Sequence, residues 1–475
     1  MVAGAVSLPP ELHDVQGLVA RGYGDLTAAR FLLLGFEKGA AARAWLGTIA
    51  NAVTPADQRP DRRAAHVALT ASGLRKLGVE AATVGLFSNE FAEGMTATHR
   101  RRTLGDVGAS DPENWLWGGP RTPEVDGVLL LYARDEHELA RLENELIGAG
   151  AAELSVLARL ETSDLQGREP FGFRDGISQP LIEGLSKKGP PETTLRFGEF
   201  VLGYLNEYGR YTDRPLLDAE ADPRRLLPPD PGTGRPDLGR NGSYLVFRQL
   251  RQDVRGFWRF LDQVARRPGG EADPDRRLRL AAKMVGRWPS GAPLTLAAEV
   301  DDPALQDANV FAYHEHDRTG THCPIGAHIR RANPRDSLDP KPGTTKSYAI
   351  NRRHRILRRG REYGTQLTAS EALQSETGTG DNERGLHFIC LNANIARQFE
   401  FVNDTWLNDP KFAGLYDDAD PLVGPSKPYG GTFTIQSETI RERVTAVPRF
   451  VSVNGGAYFF LPGLAATRYL AGIRE

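Results

Sequence analysis

The stretch SYLVFRQLRQDVRGFWRFLDQV (residues 243–264) decides the fold class. Its first eight residues form an apolar run of the length and composition of a buried β-strand. The rest has helical spacing and places four apolar side chains on one face: Val254, Phe257, Trp258 and Leu261. A buried strand followed at once by an amphipathic helix predicts a mixed α+β fold.

The same pattern of apolar run and amphipathic stretch occurs three more times, at RFLLLGFE (30–37), GVLLLYAR (127–134) and LHFICLNA (386–393). Two copies lie before residue 150 and two after residue 240, which predicts two related halves, each an α+β sheet with helices on one face. In the first half, HVALT (66–70) and AELSVLARLE (152–161) add strands and give a ferredoxin-like order. We therefore predict two ferredoxin-like domains with antiparallel sheets and peripheral helices, residues 1–165 and 166–475.

Composition is that of a globular protein with no bias toward a charged partner. The chain has 475 residues, of which 40% are apolar and 25% charged, and its net charge is −2. No basic residue precedes Arg21, and no apolar run reaches the roughly 18 residues of a membrane span. Two cysteines, Cys323 and Cys390, do not make a disulfide framework. We expect a cytoplasmic protein that binds neither membrane nor nucleic acid.

One candidate functional segment is FGFRDGISQP (171–180), in which Asp175 stands between phenylalanines and glycines. A carboxylate in apolar surroundings costs free energy unless it is paired or hydrogen-bonded. Glycines on both sides let the backbone take turns that other residues resist. The alternative is a turn in which Asp175 caps its own backbone.

A second candidate is HCPIGAHIRRANPRD (322–336), where His328 follows the small residues Gly326 and Ala327. Those small side chains leave room for a bulky group beside the imidazole. Residues 324–362 contain eleven Lys and Arg against three acids, which suggests a bound anion. A solvated or nucleic-acid-binding face is the alternative interpretation.

The basic run ends in NRRHRILRRGREYG (351–364). Ile356 and Leu357 should be buried, which draws a neighbouring arginine inward. A buried arginine requires an anionic partner, and Asp175 is one candidate for that partner.

Several segments together resemble the dye-decolorizing peroxidase family, and they occur along nearly the whole chain in the family's order. They are DVQGLVARGYG (14–24), GFRDG (172–176), GAHIRRANPR (326–335), HRILRRGREYG (354–364) and GLHFICLNANI (385–395). The length and the long loops resemble the longer bacterial subgroup. The resemblance implies two ferredoxin-like domains with haem b in the C-terminal one, in agreement with the two halves inferred above.

Carried over residue by residue, the resemblance makes His328 the axial iron ligand, Asp175 the distal acid–base group and Arg358 the distal arginine. Leu386 and Phe388 fall where the family lines the peroxide side. Further residues are candidates for single positions. Haem propionates would use Arg330, Arg335 and His354, and a slip in register would put Arg355 or Arg359 in place of Arg358. The partner of the proximal imidazole is expected among Asn392, Asn394 and Glu400, while Gly360 stands where some relatives have an asparagine.

The resemblance implies a haem peroxidase that reduces hydrogen peroxide and oxidises bulky organic donors such as dyes and phenols in one-electron steps. The alternative is a haem-binding or haem-handling protein, a carrier or an iron-releasing protein with little peroxidase turnover. That alternative needs His328 and the basic segment but not Asp175. An oligomer is compatible with the sequence.

Overall fold

The structure is a computed structural model, and it describes residues 9–148, 154–185, 193–374, 383–425 and 429–473. Its strands are β1 (Ala28–Phe36), β2 (Arg63–Leu69), β3 (Gly127–Ala133), β4 (Leu154–Glu161), β5 (Leu181–Ile182), β6 (Thr194–Leu195), β7 (Ser243–Gln252), β8 (Leu357–Arg358), β9 (Arg361–Tyr363), β10 (Gly385–Asn392), β11 (Gly431–Ile435), β12 (Glu442–Val447) and β13 (Val451–Leu461).

Most of the α-helices lie in the segments that connect these strands. The α-helices are α1 (Gly39–Ile49), α2 (Ala71–Lys76), α3 (Ala81–Val84), α4 (Asn89–Glu93), α5 (Thr98–Thr103), α6 (Glu136–Gly148), α7 (Val254–Ala265), α8 (Pro274–Val285), α9 (Tyr313–His316), α10 (His328–Ala332), α11 (Thr345–Arg352), α12 (Ala369–Gln374) and α13 (Leu464–Ala471). A π-helical segment occupies Ala396–Glu400 and Val402–Asn408. Within the described ranges, no helix is both long and apolar enough to cross a membrane.

The first half is a four-stranded antiparallel sheet in the order β4-β1-β3-β2. Every residue of β3 is buried, as the continuous apolar run predicts. Helices α1 and α6 cover one face, where Trp45 and Leu146 join the buried cluster. Strand order and helix placement are those of a ferredoxin-like unit, as predicted from the sequence.

The second half repeats the same order with later strands, β13-β7-β10-β8, and β9 adds to β10. Helix α7 follows β7, and the π-helical segment follows β10, at the two places where the sequence predicts helices. The prediction of two ferredoxin-like units in an α+β fold is confirmed.

The two halves are joined into one sheet by β13, which lies between β7 and β2. Phe460 of β13 pairs with Leu69 of β2, and helix α13 then packs on α1. The sequence analysis did not predict β13, because Gly455 and Gly456 interrupt its apolar pattern. Gly455 leaves space for the indole of Trp117, which a Cβ atom would overlap. The division into residues 1–165 and 166–475 stays a proposal.

The register of β8 against β10 decides which arginine faces which side of the sheet. Cys390 lies opposite Arg358, and Leu391 lies opposite Leu357. Successive residues of a strand point to opposite faces. Leu357 and Leu391 pack in the cluster on one face, whereas Cys390 packs in the cluster on the helix-covered face. Arg358 therefore belongs to the helix-covered side, and Arg359 to the other.

Candidate active site

The glycines of the segment 171–180 are required by its backbone. Gly172 and Gly176 have φ values of +100° and +79°, in the left-handed region that side chains disfavour. The backbone N–H of Asp175 donates to the Gly167 carbonyl at 2.9 Å. The loop thus folds back on itself and holds the Asp175 carboxylate at its turn.

Arg358 is the partner of that carboxylate. Its Nη1 donates to Asp175 Oδ1 at 2.8 Å, and the Gly176 N–H donates to the same oxygen at 2.6 Å. Burial by itself would raise the pKa of Asp175, but the Arg358 cation and the Gly176 N–H hold this pKa below its usual value. Asp175 is therefore a carboxylate at neutral pH.

Arg355 and Arg359, the two alternatives to Arg358, have other partners, so Arg358 is the distal arginine candidate that the structure pairs with Asp175. Arg359 donates to the carbonyl oxygens of Leu18 and Val19. Arg355 donates to the Ser178 carbonyl and to Asn333 Oδ1. Within the described ranges, Arg358 is thus the arginine of the basic run that pairs with Asp175.

His328 opens helix α10, and its partner is Asp420. His328 Nδ1 and Asp420 Oδ2 are 2.9 Å apart, and the Asp420 side chain has no exposed surface. The other carboxylate oxygen accepts the N–H groups of Leu422 and Val423. Burial by itself would lower the pKa of His328, but the Asp420 charge and hydrogen bond raise this pKa above its usual value.

The prediction that the imidazole partner is Asn392, Asn394 or Glu400 is wrong. Glu400 is taken up by Arg100 and by the Tyr458 hydroxyl, and Asn394 accepts the Arg397 N–H. Asp420 lies 92 residues after His328, on a loop without regular structure, and no local pattern connects the two. Only the folded chain brings them together.

Leu386 and Phe388 lie on the same face as Arg358. Leu386, Phe388 and Cys390 are every second residue of β10 and so share a face, and Cys390 pairs directly with Arg358. Gly360, in the place of an asparagine in some relatives, packs on β10, and a Cβ atom there would overlap the His387 carbonyl oxygen. A side chain is therefore excluded at that position by the β10 backbone.

Arg330 does not fit its predicted role as a propionate contact. Its guanidinium is 4% exposed and donates to Asp317 Oδ2 at 3.0 Å and to the Cys323 carbonyl at 2.7 Å. It also lies over the ring of Tyr313. Arg330 is a buried structural cation that already has its counter-ion.

His354 does not fit a propionate role either. Its ring stacks on Phe401 at 3.8 Å between centroids, and its Nδ1 lies 2.6 Å from the Arg397 carbonyl oxygen. Burial lowers its pKa to about 4, so the ring is neutral and offers no positive charge to an anion.

Arg335, by contrast, is a buried cation without a carboxylate partner in the described part of the chain. It donates to the Asn309 and Phe311 carbonyls and to Asn309 Oδ1, and it lies 3.8 Å over the Phe311 ring. Burial lowers its pKa, a consequence of a charge that lacks an anionic partner.

The site as a whole has more buried positive charge than negative charge. Burial, and after it the charges of Arg335 and Arg358, lower the pKa of Arg355. The same causes lower the pKa of Arg287. Asp175 is the carboxylate paired with an arginine of this group. The Nη2 atom of Arg287 is buried and makes no hydrogen bond in the described structure. Such a surplus requires an anion for its compensation.

The three central side chains also face open space. Asp175, His328 and Arg358 keep 33%, 30% and 31% of their side-chain surface exposed, although Asp420 behind His328 has none. Among the described residues, His328 Nε2 has no hydrogen-bond partner. An imidazole with a free nitrogen, surplus buried cations and open space between them fit haem, whose iron takes a histidine ligand and whose propionates are anions.

Comparisons with known proteins give the same answer as the geometry. The chain is 33% identical to Peroxidase 2 of Mycetinis scorodonius over 85% of this chain and 75% of that protein. It is 30% identical to the multifunctional dye peroxidase of Amycolatopsis sp., over 92% of this chain and 91% of that protein. A weaker match, 28% over 50% of this chain and 37% of the relative, is a deferrochelatase of Yersinia pestis. No protein-family model matches.

Solved structures show the same relationship over nearly the whole chain. The dye-decolorizing peroxidase of Auricularia auricula-judae superposes with a TM-score of 0.78, at 26% identity, over 98% of this chain and all of that one. An ancestral D-type dye-decolorizing peroxidase gives a TM-score of 0.77 over 97% of this chain and 99% of its own.

Fold, site and relatives together define an enzyme of the haem-peroxidase class. The chain belongs to the dye-decolorizing peroxidase family. Its relatives are fungal as well as bacterial, so membership of the longer bacterial subgroup stays a prediction.

Proposed function

We propose that this enzyme reduces hydrogen peroxide with Asp175 as the distal acid–base group and Arg358 as the distal cation, and that its donors are organic molecules such as dyes and phenols. The observation that carries the proposal is the 2.8 Å pair between Arg358 and Asp175 on the same side of the sheet as Leu386 and Phe388. Its donor class rests on relatives named as dye peroxidases.

His328 would hold the iron of haem b through Nε2, with Asp420 fixing its tautomer through Nδ1. Arg335, Arg355 and Arg287 supply the positive charge that two propionates would neutralise. Bound there, haem supplies the redox chemistry that a protein side chain cannot supply. All of these residues lie in the proposed C-terminal domain, 166–475.

Asp175 is suited to move a proton between the two oxygens of peroxide. Its lowered pKa keeps it ionised, so it can accept the proton of one peroxide oxygen and return it to the other, which then leaves as water. Arg358 stabilises the negative charge that develops on the departing oxygen. Leu386 and Phe388 add apolar side chains to the face of the sheet that carries Arg358.

Rapid mixing of the haem-loaded enzyme with hydrogen peroxide tests these roles. The rate constant of the change in haem absorbance should fall by about 10²–10⁴-fold in Asp175→Asn and about 10²–10³-fold in Arg358→Leu. Both variants should keep their haem. Asp164→Asn, an exposed aspartate just before the same loop, is the matched control and should react as the wild type does. Wild-type rates in both site variants would disprove the assignment.

A second candidate is haem handling, since a deferrochelatase is among the weaker relatives. This function requires His328 but not the Asp175–Arg358 pair. Steady-state assays with several dyes and phenols distinguish the two: full haem loading without turnover on any donor would favour haem handling. A cytoplasmic location stays a prediction from the sequence.

A further inference from the structure

A cleft of about 390 Å³ lies on the opposite side of β8 from Arg358. One wall is the N-terminal segment 19–22, the other is the segment 177–185 that follows Asp175, and Leu357 and Arg359 form its floor. The volume is within the range of small-molecule sites. Asp175, His328 and Arg358 do not line it, so the cleft adjoins the site described above without including its three central side chains.

The charge in this cleft is positive and is not compensated by the protein. Arg359 donates from Nε to the Leu18 carbonyl at 2.7 Å and from Nη2 to the Val19 carbonyl at 2.8 Å. Burial lowers its pKa to about 10, and the nearby ionisable groups are two tyrosines and Arg21. At neutral pH the tyrosines are uncharged and Arg21 carries the same charge.

Arg21 adds a second cation at the mouth. Its Nη1 donates to the carbonyl oxygens of Ala56 and Gln58, which are neutral acceptors. No carboxylate occurs among the described residues that line the cleft. Two neighbouring arginines held by backbone carbonyls alone make a site that an anion would stabilise.

Two amide side chains extend this excess of hydrogen-bond donors. Gln179 accepts the Arg358 N–H through Oε1 at 3.2 Å, and Asn309 accepts from Arg335 through Oδ1 at 2.7 Å. Within the described structure, neither amide nitrogen has a hydrogen-bond partner. Each amide thus touches an arginine of the active site with its oxygen and leaves its N–H₂ group for a ligand.

The rest of the lining is apolar and includes Ile177, Pro180, Leu185 and Leu357. Apolar walls suit a ring, and a donor-only polar set suits a carboxylate. We propose that this cleft binds small aromatic carboxylates, with the ring against Ile177 and Leu185 and the carboxylate between Arg21 and Arg359. The proposal goes beyond the peroxidase reaction and does not require turnover.

Isothermal titration calorimetry on the haem-loaded protein tests it with benzoate and with benzamide, its neutral isostere. Benzoate should bind at one saturable site, and benzamide at least about tenfold more weakly, since losing one charge-assisted pair costs about 1.4 kcal/mol or more. Arg21→Gln should lower benzoate affinity by a similar factor. Arg59→Gln is the control, because Arg59 is 78% exposed, pairs with Asp25 and does not line the cleft.

A second variant tests the position without removing a charge. A Cβ atom on Gly22 would meet only Arg359 Cδ at 3.8 Å, so Gly22→Phe fits the backbone and fills the cleft. It should abolish benzoate binding while the haem spectrum stays unchanged. Equal binding of benzoate and benzamide, or unchanged affinity in both Arg21→Gln and Gly22→Phe, would overturn the proposal. Benzoate binding that haem loading eliminates would also overturn it, because the cleft would then belong to the haem site.

Discussion

Asp420→Asn is the substitution that most directly tests how the chain controls its histidine. Asp420 is fully buried and uses both oxygens: Oδ2 faces His328 Nδ1, and Oδ1 accepts two backbone N–H groups. An asparagine has one oxygen for these two places. With its oxygen toward the backbone, its N–H₂ group faces the N–H of the imidazole; with the amide reversed, the same group faces the backbone donors.

Each orientation therefore leaves donors facing donors. A hydrogen bond to a charged group contributes about 1.5–3 kcal/mol. If the whole of this contribution is lost in the oxidised state and none of it in the reduced state, the one-electron reduction potential of the haem rises by about 60–130 mV, which is the upper limit of the effect. A loss of an outer partner of this kind lowers metal affinity or activity by about 10–100-fold. We expect weaker haem binding and a higher reduction potential in this variant.

Haem titration of the haem-free protein and spectroelectrochemistry of the loaded protein measure the two quantities. Asp418→Asn is the matched control, since Asp418 is 1% exposed and holds Thr432 and Thr434 without touching His328. A haem affinity and a potential in Asp420→Asn equal to those of Asp418→Asn would refute the argument that the Asp420 charge acts on the iron ligand.

For two further substitutions the structure predicts a change in the stability of the folded protein. Arg330→Met should lower the free energy of unfolding of the haem-free protein by about 3–5 kcal/mol, because it leaves Asp317 buried without its cation. Urea denaturation measures this free energy. A variant with unchanged stability and weaker haem binding would instead support Arg330 as a propionate contact. Glu362→Gln should flatten the pH dependence of stability, because burial raises the folded-state pKa of Glu362 from 4.5 to about 7. The folded state then holds this proton more tightly than the unfolded state, so the contribution of Glu362 to stability is complete below about pH 4.5 and is lost as the pH rises to about 7. An unchanged slope in the variant would contradict this.

The strands and helices of both halves follow from the sequence because their signals are local. Apolar runs such as GVLLLYAR reach the burial that they predict, and each is followed by a helix whose apolar face covers the sheet. The glycines around Asp175 likewise predict a turn, because its positive φ values disfavour other residues. The sequence does not predict strand β13, because a glycine is required at position 455 by a long-range contact: the indole of Trp117, more than 300 positions earlier, occupies the space of a side chain there.

The sequence by itself thus determined the fold class and, through its resemblance to a family, the candidates Asp175, His328 and Arg358. Only the tertiary structure decided among Arg355, Arg358 and Arg359. The pairing register with β10 sends Arg358 and Arg359 to opposite faces, and Arg355 donates to the Ser178 carbonyl and to Asn333 instead. The tertiary structure also replaced the expected imidazole partners with Asp420 and assigned Arg330 to Asp317. Hydrogen bonds between distant residues depend on where the whole backbone places two atoms, and no spacing along the chain encodes that distance.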